Sequence, residues 1–99
     1  MDVTYSFTAE LFKTEVEAAW VFVPVPKAAA DEIFEATPRR PGFGSIRVAA
    51  VIGSTEWTTS IFPSKEFGSY LLPINRQVRE SEQIDIGDAA EVTIRILDR

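Results

Sequence analysis

The side chains able to do chemistry in this sequence are few in kind, because neither histidine nor cysteine occurs in it. Imidazole acid–base catalysis, thiolate nucleophiles, disulfides and the usual zinc ligand sets are thereby excluded. What remains is hydroxyl, carboxylate, lysine and arginine, and the stretch that gathers them runs from Gly53 to Asp88. Within it, Ser60, Lys65, Tyr70 and Arg79 bring hydroxyl donors and cations near the ends of neighbouring strands. That combination suits a small anion or a carboxylate-bearing segment of a partner. The competing reading pairs Arg79 with a nearby carboxylate and leaves the hydroxyls on exposed strand faces. Ser60 and Lys65 also have the residue types of a serine nucleophile and a lysine base, but no third group orients the base, and a strand serine followed by a loop lysine is commonplace.

Three further sets carry less. Asp31, Glu32 and Glu35 share a short helical segment, where a solvated acidic face is the simpler reading because a Mg²⁺ or Ca²⁺ cage needs more ligands than one helix face offers. No metal or cofactor is expected. Arg39, Arg40 and Arg47 would form a nucleic-acid patch if two copies of the chain paired, which makes a homodimer part of that reading. Trp20, Trp57, Phe62, Phe67 and Tyr70 would together line an aromatic pocket, but core is the simpler reading, since large rings supply much of a small domain's buried area. Among the aromatics, Phe43 and Phe67 lie in loops, and their exposure would indicate a binding surface.

The elements that must position these residues follow from hydrophobic periodicity. Val3, Tyr5, Phe7, Ala9 and Leu11 alternate with polar residues, the period of a half-buried strand. After a charged connection, Lys13 to Glu17, the run AAWVFV (Ala18 to Val23) is apolar on both faces and reads as a central strand. Pro24 and Pro26 end it. Lys27 to Ala36 has Ala30, Ile33 and Phe34 at helical spacing and stops before Pro38. Thr37 to Ser45 is a proline- and glycine-rich loop, expected to be mobile. Ser45 to Ile52 and Thr55 to Phe62 flank Gly53-Ser54, a two-residue hairpin turn with glycine first, and Pro63 is expected to end the second arm. Ser69 to Ile74 is a fifth strand. Asn75 is placed to cap a helix from Arg76 to about Glu82, with Arg76 four residues before Glu80 as a surface pair. A tight turn at Ile86-Gly87-Asp88 leads to a closing strand, Glu91 to Leu97. Six short strands and two helices point to a mainly β fold, a small six-stranded barrel, with an open α+β sheet as the alternative.

The chain has 99 residues, room for one domain over 1–99, with ordinary fractions of hydrophobic (45%) and charged (25%) residues. The longest apolar run is far short of a membrane span, and the first residues lack a leader pattern, so a cytoplasmic location is expected and no membrane partner. The net charge of −5 is unevenly spread. Residues 1–35 hold seven acids against two lysines, residues 36–79 two acids against six bases, and residues 80–99 six acids against two arginines. The Ser60 to Arg79 set therefore lies in the one basic third. An acidic chain is a poor non-specific binder of nucleic acid, although a local anion site is compatible with it.

The motifs Trp57-Thr58-Thr59-Ser60-Ile61-Phe62-Pro63, Tyr70-Leu71-Leu72-Pro73-Ile74 with Val78-Arg79, and Ile86-Gly87-Asp88 together resemble the bacterial family named Domain of Unknown Function nineteen-hundred-and-five. Phe7 and Leu11 in the first strand and Trp20 to Pro26 in the second fit the same pattern, so the resemblance covers nearly the whole chain. It implies a compact barrel of the double-split type, a fold otherwise associated with dimeric transition-state regulators and antitoxins. No activity comes with it. The expectation is thus a non-catalytic binding module for a small anion or an acidic partner segment around Ser60, Lys65, Tyr70 and Arg79. The alternative is a dimeric nucleic-acid-associated regulator using Arg39, Arg40 and Arg47, with a small enzyme as a third reading.

Overall fold

A computed structural model describes residues 4–13, 20–36 and 44–97. The expected connection from Lys13 to Glu17 falls almost wholly outside these residues, as does most of the expected loop from Thr37 to Ser45. Among the described residues, seven strands and two helices follow in the order β1 (Thr4–Glu10), β2 (Phe12–Lys13), β3 (Val21–Pro24), α1 (Lys27–Ala36), β4 (Ile46–Ile52), β5 (Thr55–Ser64), β6 (Ser69–Pro73), α2 (Arg76–Glu82) and β7 (Ala89–Ile96). The sheet is antiparallel throughout, in the order β1-β7-β4-β5-β6-β3-β2. Its two outermost members, β1 and β2, are separated in sequence by Leu11 alone. The sheet therefore curls back on itself, and the expected six-strand barrel corresponds to these seven strands with the first one broken at Leu11.

That break has a local cause. The Leu11 N–H donates to the Asp88 carbonyl and its carbonyl accepts from the Gly87 N–H, both at 2.9 Å, so the turn before β7 holds the kink through which the first strand passes from β7 to β3. The Leu11 side chain is fully buried there. Val48, Ala50 and Ile52 of β4 face Ile96, Ile94 and Val92 of β7, and with Ile61, Leu72, Val23 and Ile74 they fill the interior. Tyr5, Phe7 and Ala9 pack against that core from β1, as expected from their alternation.

Four expectations need correction. Of the rings read as core, Trp20, Phe62 and Phe67 are exposed, because each stands on the outer side of the curled sheet or in a loop beside it. Pro63 does not end β5; it pairs with Tyr70 inside a ten-residue strand. The β4–β5 ladder finishes at Ile46 and Ile61, and from Phe62 onward β5 pairs with β6, so Pro63 stands where one side of the strand has no ladder to supply. Phe34 does not join Ala30 and Ile33 in the core but is 70% exposed, because a ten-residue helix over a small sheet buries only a narrow stripe. The run ending in Val23 is not apolar on both faces for being sandwiched. Its strand β3 has Val21 and Val23 in the core, with Val25 just after it, whereas Phe22 lies outside the core cluster.

Among the described residues no helix is long and apolar enough to cross a membrane. No buried side-chain nitrogen or oxygen among them lacks a hydrogen-bond partner.

Candidate functional site

The helix α2 is built from its cap. Asn75 is extended, and its side-chain oxygen accepts from the Val78 N–H at 2.9 Å, satisfying one of the free amides of the first turn. Val78 then points into the core. One residue on, Arg79 lies at the margin with its side chain 18% exposed. Its guanidinium donates to the Ile74 carbonyl at 2.5 Å and reaches Asp85 at 3.9 Å, the second distance being an ion pair without a hydrogen bond. Arg76, one turn earlier, is open to solvent and donates to Glu80 at 3.0 Å, the i, i+4 pair expected from the sequence.

Both arginines line a cleft of about 440 Å³ between α2 and the ends of β3 and β6, together with Trp20, Val21, Pro73, Ile74 and Asn75. Trp20 is 46% exposed and stacks on Phe22 at 5.8 Å between centroids. The cleft thus has an aromatic and aliphatic wall and a cationic one. On its far side the same two arginines border a polar depression with Glu80, Gln83, Asp85 and Asp88. The Asp85 to Asp88 turn is closed by the Asp88 N–H donating to the Asp85 carbonyl, and by the Asp88 carboxylate accepting from the Asp85 N–H.

The four residues singled out in the sequence do not form one cluster. Lys65 and Tyr70 share a smaller cleft of about 230 Å³ against Asp31 and Phe34 of α1, with Ser64 and Ser69. Ser69 donates to the Val25 carbonyl, tying β6 to the segment before α1. Tyr70 is buried, and burial pushes its hydroxyl above the ordinary tyrosine pKa. Ser60 is on β5 opposite Arg47, on the outward face of the β4–β5 ladder. Arg79 alone of the four reaches the larger cleft. Arg39 and Arg40 lie outside the described residues, as does Phe43. Among the described residues no three acidic side chains gather closely enough to hold a metal ion, and Asp31 is paired with Lys27 at 3.4 Å.

The family model described as Domain of unknown function (DUF1905) matches residues 7–94. The chain belongs to the DUF1905 family. The matched span contains Trp20, Arg76, Arg79 and both clefts, so these features lie within the DUF1905 domain itself. A search of the curated proteins finds no match to the chain.

Sequence reasoning missed Arg76 as a member of the site, and gave Trp20 a pocket role only as the lesser alternative to core. The signal for Trp20 was its position at the start of a short strand followed by Phe22. Two rings spaced two apart share a strand face, but the spacing does not say whether that face looks inward or outward.

Proposed function

We propose that this DUF1905 protein is a non-catalytic binding module that holds an anionic group, carried on an apolar or aromatic body, in the cleft between β3, β6 and α2. The observation that supports this is the placement of Arg79. A guanidinium has five N–H donors, and one bond to the Ile74 carbonyl with a long pair to Asp85 leaves donor capacity beside the cleft. Arginine held in this way suits a carboxylate or phosphate, while Trp20 offers a ring face to the rest of the ligand. A catalytic reading is less favoured because the lining of the cleft carries no carboxylate, lysine or histidine to act as a base, and Ser60 and Lys65 stand apart from it. The regulator reading rests on Arg39, Arg40 and Arg47, of which only Arg47 is described, exposed on an outer sheet face opposite Ser60.

Titration of the labelled protein with phenyl phosphate and with benzoate tests the proposal. The amides of Val21, Asn75 and Arg79 are expected to shift at millimolar probe. Arg76→Gln, an exposed change, and Arg79→Lys, which keeps the charge but loses the planar fork, are expected to weaken binding by about tenfold. Absence of any shift, or equal shifts in both variants, would remove the anion site.

A further inference from the structure

We infer that the outer face of β2, β3 and β6, with the adjoining end of β5, is a docking surface for an extended acidic segment of another protein carrying aromatic or aliphatic side chains. This goes beyond the anion cleft, with which it shares Trp20 and Pro73. The two outer halves of the curled sheet differ in chemistry. Over β1, β7, β4 and β5 the outward residues include Ser6, Thr8, Glu10, Glu91, Thr93, Arg47, Thr58 and Glu56. Over the other half they are largely apolar.

Phe12 of β2 pairs with Phe22 of β3, which pairs with Pro73 of β6, and Phe62 of β5 pairs with Leu71 of β6. Phe22 and Leu71 are buried, yet neither belongs to the interior core cluster. They are the floor of a second, outer cluster. Its rings run in a row: Trp20 lies 5.8 Å from Phe22, Phe22 lies 6.2 Å from Phe12, and Phe12 lies 4.9 Å from Phe67 of the β5–β6 loop. Phe67, whose exposure was the sign to look for, is 42% exposed; Trp20 is 46% and Phe62 38%. An exposed aromatic row on a sheet that already has its own core is characteristic of an interaction site.

Area and charge choose the occupant. With aromatic side chains presenting about 150–250 Å² each, the open parts of these three rings amount to roughly 200–300 Å². A stable dimer needs about 800 Å² per partner, so a second copy is underserved, whereas a short segment seated on a few anchors is not. Exposed Lys65 stands two residues before Phe67, with Glu66 as the opposing carboxylate between them, and Arg76 and Arg79 border Trp20 at the other end of the row; Lys13, which pairs with core Val21, is on the opposite face of β2 from Phe12. The carboxylates Glu10, Glu56 and Glu91 are on the other outer half. In a chain of net charge −5 this margin favours an acidic partner over a basic one.

The test is fluorescence anisotropy and amide mapping with a labelled synthetic peptide alternating Phe or Leu with Glu and Asp. One control replaces its Phe and Leu by Ser, and the other replaces its acids by Lys. The acidic apolar peptide is expected to shift the amides of Phe12, Phe22, Phe67 and Leu71 and to bind at least about tenfold tighter than either control. Phe67→Ser and, separately, Lys65→Glu, both exposed positions, are expected to weaken it while Arg79→Lys leaves it unchanged. Equal binding of the Lys control would overturn the acidic assignment. Peptide shifts confined to Asn75 and Arg79 would overturn the surface while leaving the anion cleft standing. A concentration-dependent dimer in sedimentation that Phe67→Ser abolishes would replace the peptide by a second copy.

Discussion

At the scale of single residues, burial and charge decide how the ionisable side chains behave. Arg79 is held by a backbone carbonyl from its own helix start, so its position depends on Ile74 and Asn75 more than on any carboxylate. Two tyrosines titrate above the ordinary value of 10.0. Tyr70 is raised by burial, and Tyr5 by burial first and then by the charge and hydrogen bond of Glu32. A folded-state pKa above the unfolded one means that the folded state keeps its proton longer. The associated stability is fully present below pH 10.0 and is lost as pH rises through the raised values. Urea unfolding at about pH 9 and about pH 11 is therefore expected to show an alkaline loss that is smaller in a Tyr5→Phe, Tyr70→Phe double variant. An undiminished loss in that variant would assign the alkaline transition to other groups.

At the scale of elements, the hairpin turn and α2 hold one another. Gly53 has φ of +60°, the left-handed conformation glycine adopts without penalty. Beside it the Glu82 carboxylate accepts from the Thr55 hydroxyl at 2.5 Å and lies 3.5 Å from the Ser54 hydroxyl. A Cβ at position 53 would collide with that carboxylate, coming 2.8 Å from its Cδ. Gly53→Ala is thus expected to destabilise the protein by about 2 kcal/mol or more, combining backbone strain with the displaced Glu82. In a Glu82→Ala background the same change should cost only about 1 kcal/mol, the strain alone. Thermal unfolding of the four proteins in this cycle checks it, and strict additivity would mean that Glu82 does not anchor the turn.

At the scale of the whole molecule, one buried residue joins the two ends of the sheet. Leu11 passes the first strand from β7 to β3, and its backbone is held by the turn at Gly87 and Asp88. Leu11→Ala is expected to cost about 2–5 kcal/mol in denaturant unfolding, as for other fully buried leucines. Thr58→Ala, on the polar outer face, should stay within about 0.5 kcal/mol. A Leu11→Ala cost as small as that of Thr58→Ala would mean that the sheet does not depend on this crossing.

Much of the fold was legible because its signals are local. Alternation from Tyr5 to Ala9, the Gly53-Ser54 turn, the Asn75 cap and the Arg76–Glu80 pair each depend on residues within a few positions, and each is found where expected. Family membership was legible for the same reason, since the Trp57 to Pro63 and Tyr70 to Ile74 runs are contiguous. The site was less so. Ser60, Lys65, Tyr70 and Arg79 are close in sequence, but alternation along β5 and β6 and the reversal at Pro73 to Asn75 send them to different surfaces.

The sequence by itself determined the element types, most of their limits, the chemistry excluded by the absence of histidine and cysteine, and the family. Only the tertiary structure decided which face of each strand looks inward. A strand with apolar residues on both faces, such as Val21 to Val25 with Phe22, reads identically whether its second face is covered by another layer or left open. That depends on how the sheet curls, which is set by pairings such as Phe22 with Pro73 and Val92 with Ile52, between residues far apart in the chain. The aromatic row and the Trp20–Arg79 cleft are both products of that curl.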